Sequence, residues 1–181
     1  MPIVARACVL VNLQVDGAEL NIGMDERAYY IEQHRLAHRN PREFRGRALA
    51  GHVAHIDQLC QQHGCHTILD YGCGKAQCWP AHWQGRVTGY DPAYEPYSGA
   101  PRGTYDMVIC NEVMEHVPQS AVAETLRHIF QLRSKWAYFS ICTRPSDKLL
   151  PDGSNKHLTV RPQEWWDQQL RSFDHYTVHY H

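Results

Sequence analysis

The chain of 181 residues is short of several things, and each shortage removes a class of answer. It has no uninterrupted apolar run near the length that spans a bilayer, so no membrane-crossing helix is expected. It has no excess of one charge: 18 basic and 19 acidic residues leave a net charge of −1, with no strong pull toward nucleic acid or a membrane surface. Its seven cysteines contain no paired C-x-x-C and no regular framework, so they read as reduced thiols in a cytoplasmic protein. Cys60, Cys65, Cys73 and Cys78 lie close in sequence, but Cys73 is taken up by a glycine turn, which argues against zinc there. A signal peptide is imitated by Ala7-Cys8-Val9-Leu10-Val11 after Arg6, and Asn12, Gln14 and Asp16 break it early.

What is present centres on Thr67-Ile68-Leu69-Asp70-Tyr71-Gly72-Cys73-Gly74-Lys75. A short apolar run ends in an acid and then in two glycines one residue apart, the composition of a buried strand feeding a tight turn. Without a Cβ, Gly72 and Gly74 let the backbone take conformations closed to other residues and lie directly against a ligand. A dinucleotide fingerprint would need a third glycine at position 77, where Gln77 stands.

The segment Ile-Leu-Asp-Tyr-Gly-Cys-Gly resembles the first motif of the class I S-adenosylmethionine-dependent methyltransferases, although the usual further glycine is Ala76 here. Val87-Thr88-Gly89-Tyr90-Asp91 resembles their second strand, and Tyr105 to Val117 their fourth strand with the helix start after it. The resemblance implies a cofactor site of Asp70, Tyr71, Gly72, Gly74, Asp91, Pro92, Asn111 and Glu112. In it Asp91 accepts hydrogen bonds from the ribose, while Asn111 and Glu112 line the methionine side. The implied fold is α/β, an abbreviated Rossmann-like methyltransferase sheet with helices on both faces. Only a short Pro- and Gly-rich stretch separates Asp91 from Tyr105, so the third strand is expected to be missing, and the seventh finds no room at the end. Tyr94, Tyr97 and Tyr105 are then candidates for the missing wall of the adenine pocket. Asp91-Pro92-Ala93-Tyr94 imitates the box of DNA amino-methyltransferases, which belongs after the fourth strand, where this chain reads Cys110-Asn111-Glu112.

Residues 1–23 read as an N-terminal extension or an added strand, with Val9, Val11, Leu13 and Val15 alternating and Asp16-Gly17 as a turn signal. A single domain over 24–181 opens at Met24, a candidate native start. A helix from Asp25 to about Asn40 carries Tyr29, Tyr30, His34 and His38 near helical spacing, as a lid over the acceptor or as a packing face with solvated histidines. Further helices are expected over Gly46–Gln62, Pro118–Arg133 and from Pro162 to Leu170, with strands at Trp136–Cys142 and Phe173–Tyr180. His52 and His55, three apart, read as a surface face.

Glu112, Glu115 and His116 stand at i, i+3 and i+4, which on a helix start shares one face. With His157 they resemble the metal site of small-RNA ribose methyltransferases and of ubiquinone-pathway O-methyltransferases, a donor set for Mg²⁺, Mn²⁺, Fe²⁺ or Zn²⁺. His116, Glu115 and His157 are accordingly the candidate catalytic residues, and without a metal His116 or His157 is the candidate general base. The expected reaction is methyl transfer from S-adenosylmethionine to a hydroxyl, less readily an amine, of a small-molecule acceptor. Two alternatives stand beside it: a ribose O-methyltransferase acting on RNA, and a cofactor-binding scaffold without catalysis.

Overall fold

The computed structural model describes residues 8–15 and 18–181, with side chains from residue 25 onward. Strands β1 (Cys8–Val15) and β2 (Ala18–Asp25) pair antiparallel in a sheet of their own; the Asp16-Gly17 turn signal lies outside the described residues. Asp25 ends β2 and caps helix α1 (Glu26–His38), its carboxylate accepting from the Arg27 amide. After a 3₁₀ turn at Arg47–Gly51 comes α2 (Val53–His63), closed by Gly64 in the left-handed region.

The main sheet holds β3 (Ile68–Tyr71), β4 (Val87–Tyr90), β5 (Tyr105–Asn111), β6 (Arg133–Ile141) and β7 (Tyr176–Tyr180), all parallel in the order β4-β3-β5-β6-β7. Helices α3 (Val122–Leu132) and α4 (Gln163–Leu170) follow β5 and β6. No strand lies between Tyr90 and Tyr105, only a 3₁₀ turn at Glu95–Tyr97, so the third strand of the family sheet is absent as expected; β7 is the last strand among the described residues.

The central strands are buried on both faces, which is why β5 reads as a continuous apolar run. Met107 and Ile109 pack with Ile56, Leu59 and Trp83 on the α2 side, while Val108 and Cys110 pack with Leu126, Ile129 and Trp166 on the α3/α4 side. The connections from β3 run to β4 on one side and those from β5 to β6 on the other. A crevice therefore opens at the carboxyl ends of β3 and β5, the switch point where open α/β sheets take ligands.

Two segments differ from the sequence expectation close to that crevice. No α-helix starts directly after β5: Glu112 takes φ 55°, and two 3₁₀ turns, Met114–His116 and Gln119–Ala121, come before α3. The turn after β3 keeps its left-handed form although a glycine is replaced, with Ala76 at φ 51°. That conformation costs an alanine about 1–2 kcal/mol, and glycine gives back about 0.4–1 kcal/mol through the unfolded chain. Ala76→Gly is therefore expected to stabilise the fold by roughly 0.5–1 kcal/mol in urea denaturation; a loss of stability would show that position 76 is not held left-handed.

Candidate active site

The crevice is a cavity of about 300 Å³ with the glycine turn as its floor. At Gly72 (φ 81°) an added Cβ would lie 2.4 Å from Val113 Cγ2, and at Gly74 (φ 55°) 2.3 Å from the Phe44 carbonyl oxygen, so both positions require glycine. The Gly74 amide donates to Asp91 Oδ2 at 2.9 Å and the Ala93 amide to Oδ1 at 2.9 Å. Burial raises the Asp91 pKa, and these amides together with that of Tyr94 pull it back down. Asp91, Pro92, Asn111 and Glu112 all line the cavity beside the turn. Asp70 lines it too, with one oxygen accepting from Trp79 Nε1 at 2.7 Å. Tyr71 reaches the cavity wall, but its hydroxyl turns to His128 Nδ1 at 3.0 Å on the α3 face, so only its inner edge faces a ligand.

Helix α1 is the roof. Arg27, Tyr30, Ile31, His34 and His38 line the cavity, and both histidines are buried rather than solvated. Arg27 pairs with Glu124 at 2.9 Å, Glu26 with Ser120, and Tyr29 donates to Asp152 at 3.0 Å. The segment after α1 lies on the glycine turn by main-chain bonds: the Lys75 amide donates to Phe44 O at 2.7 Å and the Gln77 amide to Arg45 O at 3.1 Å. Lys75 Nζ in turn donates to the carbonyls of Asn40 (2.8 Å) and Glu43 (2.7 Å), and Glu43 pairs with the buried Lys156. Phe44, Arg45, Gly46 and Arg47 thereby become wall residues that nothing in the sequence marked, because their role rests on contacts across long separations. Tyr94, Tyr97 and Tyr105 do not line the cavity: Tyr94 stacks on His38, Tyr97 leans on Trp79, and Tyr105 packs against the core. Pro92 and Ala93 line the cavity on that side.

The expected acid–imidazole group divides. Glu115, His116 and His157 offer ligand atoms within 4.8 Å of one another, and Glu112 is not among them. Its left-handed backbone sends its carboxylate to Ser140 Oγ (2.8 Å) and His181 Nε2 (2.7 Å) instead. His116 lines the cavity, whereas Glu115 and His157 adjoin it. His116 Nδ1–H donates to Lys156 O at 2.8 Å and His157 Nδ1–H to Arg144 O at 2.6 Å; a carbonyl only accepts, so each Nε2 keeps its lone pair. Burial, helped by neighbouring His34, depresses His116 to about 3 and keeps it neutral. Glu115 is wholly buried, and burial first, then the Glu112 carboxylate, pushes its pKa up.

His34 Nε2, His38 Nδ1, Asn111 Oδ1 and Glu115 Oε2 are buried without a hydrogen-bond partner among the described residues, and all four stand in or beside this cavity. Folded proteins rarely leave such groups orphaned. Together they give the cavity four unmet hydrogen-bonding atoms that an incoming ligand can engage.

Asp70 is pushed up to about 7 by burial first; the Trp79 N–H works against that and the Asp91 charge adds to it. The unfolded carboxyl ionises near 3.8, so between the two values the unfolded state has lost a proton that the folded state keeps, and stability falls as pH rises. Asp70→Asn, whose amide oxygen still accepts from Trp79, is expected to be the more stable protein above pH 7 by on the order of 2–4 kcal/mol. The two denaturation midpoints should converge near pH 4; parallel curves across that range would contradict a raised Asp70. His38, depressed to about 4, and His116 add the opposite slope below pH 6.5 in both proteins, so it cancels in the difference.

Comparison with known proteins agrees with this geometry. No curated protein and no solved structure matches the chain significantly. Residues 25–180 match the family described as Methyltransferase domain, a span that runs from the cap of α1 to the end of β7. The chain belongs to that family, a class I S-adenosylmethionine-dependent methyltransferase family with a parallel-sheet α/β fold.

Proposed function

We propose that the protein transfers a methyl group from S-adenosylmethionine to a hydroxyl oxygen of a small molecule, assisted by a divalent metal ion. The observation that carries the reading is the ring of unpartnered buried atoms around a glycine-floored cavity at the switch point. Asp91 uses one lone pair on each oxygen for the Gly74 and Ala93 amides and has others left for two ribose hydroxyls. Gly72 and Gly74 present bare backbone to the cofactor, and Asn111 Oδ1 is free to accept from its ammonium group. The cofactor supplies an electrophilic methyl on a sulfonium; the protein's part is to hold the acceptor oxygen in line with it and to exclude water.

Helix α1 roofs the cavity, which suits an enclosed small acceptor better than a polymer end. A hydroxyl is a poor nucleophile at neutral pH, and a bound divalent ion would lower its pKa. Glu115, His116 and His157 fit such an ion: each imidazole is oriented by an Nδ1–H donated to a backbone carbonyl, the usual support behind a metal-ligating nitrogen. Glu115 Oε2, buried and unpartnered, completes the trio.

Calorimetric titration with S-adenosylmethionine is expected to show binding to the protein and a loss of roughly 100-fold or more in Asp91→Ala, the cost of two charged hydrogen bonds. Asp91→Asn, which retains shape and one acceptor oxygen, should lose less. Equal affinity in all three would remove Asp91 from the site, and no binding by the native chain would overturn the cofactor assignment.

A further inference from the structure

The lid carries a third imidazole wired like the two in the trio. His34 sits on α1 with its Nδ1 2.7 Å from the Tyr30 carbonyl, so that nitrogen carries the proton and Nε2 keeps the lone pair. The residue is 9% exposed, it lines the cavity, and Nε2 has no partner among the described residues. Its ring stands edge-on to His116, 5.6 Å between centroids, and His116 stands edge-on to His157 at 5.0 Å. Three neighbouring rings therefore each spend Nδ1–H on a backbone carbonyl and each hold an Nε2 lone pair in reserve.

An imidazole kept only for packing has no need of this arrangement. Phe44 covers one side of His34 at 5.6 Å between ring centroids, and a third aromatic ring at position 34 would pack there without leaving a buried nitrogen unpaired. Nε2 needs either a donor hydrogen or a cation, and the ring beside it, His116, belongs to the trio of Glu115, His116 and His157. In the present lid position His34 stands just outside that trio.

We infer that His34 is the fourth ligand of the metal ion held by Glu115, His116 and His157, so that binding the ion draws α1 down and closes the lid. The inference rests on the metal part of the proposed function. It replaces Glu112, whose carboxylate is engaged by Ser140 and His181, with a residue from the roof. The resulting set of three imidazoles and one carboxylate favours Zn²⁺, Fe²⁺ or Co²⁺ over the oxygen-seeking Mg²⁺. It also makes the lid responsive to the ion: with the ion bound, α1 is fastened to the loop that carries His157 by coordination in addition to the Tyr29–Asp152 hydrogen bond.

The test uses Co²⁺ as the probe on metal-free full-length protein. In the Co²⁺-loaded native chain, paramagnetically shifted exchangeable proton signals report each Nδ1–H of a ligating histidine; three are expected, and two would overturn the inference without any variant being made. His34→Leu and His34→Gln are each expected to weaken Co²⁺ binding at least roughly 10–100-fold, the loss that follows even removal of an outer partner of a ligand. Co²⁺ should slow amide exchange along α1 in the native chain and leave it unchanged in both variants. Unaltered affinity and α1 protection in folded His34 variants would refute His34 while leaving the trio intact. Absence of Co²⁺ binding to the native chain, with Glu115→Gln behaving the same, would overturn the metal reading itself and this inference with it.

Discussion

Backbone meeting backbone at the glycine turn is the constraint on which the rest of the site depends. Gly74 leaves room for the Phe44 carbonyl where any Cβ would collide, and its amide is at the same time committed to Asp91. The amides of Lys75 and Gln77 then bond to the carbonyls of Phe44 and Arg45, and Lys75 Nζ to those of Asn40 and Glu43, so the segment behind α1 is laid along the turn. One short loop thus aligns three parts: the end of β3, the acid at the end of β4, and the roof over both. Gly72 fixes the remaining side by admitting Val113 from the end of β5. The cavity is built where these approaches meet, and strain gathers there too, with Phe44, Ala76 and Glu112 all at positive φ.

Burial also decides the charges inside. Around the cavity two acids, Asp70 and Glu115, are pushed toward their protonated forms, while His38 and His116 are pushed toward neutrality. Three of the charges near the cavity are tied off: Lys156 by Glu43, Arg27 by Glu124, and Asp91 by backbone amides. An interior whose buried ions are paired costs less to close than one with loose ions, and burial strengthens whatever polar contact a ligand makes.

The strands were legible because their signals are local. β5 runs from Tyr105 to Asn111 as its apolar run implies, and the turn after β3 is where two glycines flank Cys73. The missing third strand followed from the family resemblance together with spacing, since the stretch from Asp91 to Tyr105 is too short to hold what the family places there. Helix α2 was legible in its stripe, though its first turn is a separate 3₁₀ segment. The site was legible on its floor and less so on its walls. Glu112 looked like a partner of Glu115 because i, i+3 spacing assumes a helix, and the left-handed turn at Glu112 removes that assumption. His34 and His38 could be read as lid or surface with equal ease, since helical spacing says which residues share a face but not what covers it. The tie between Glu43 and Lys156 spans most of the chain and leaves no trace in sequence.

The central claim, that the cavity between the glycine turn and α1 is the cofactor site, is tested most directly by amide exchange with and without S-adenosylhomocysteine. Slower exchange is predicted at residues 72–76, 91–94 and 111–113 and along α1, with the outer strand β7 unaffected. Protection confined to other surfaces, or an unchanged pattern at saturating ligand, would contradict the account.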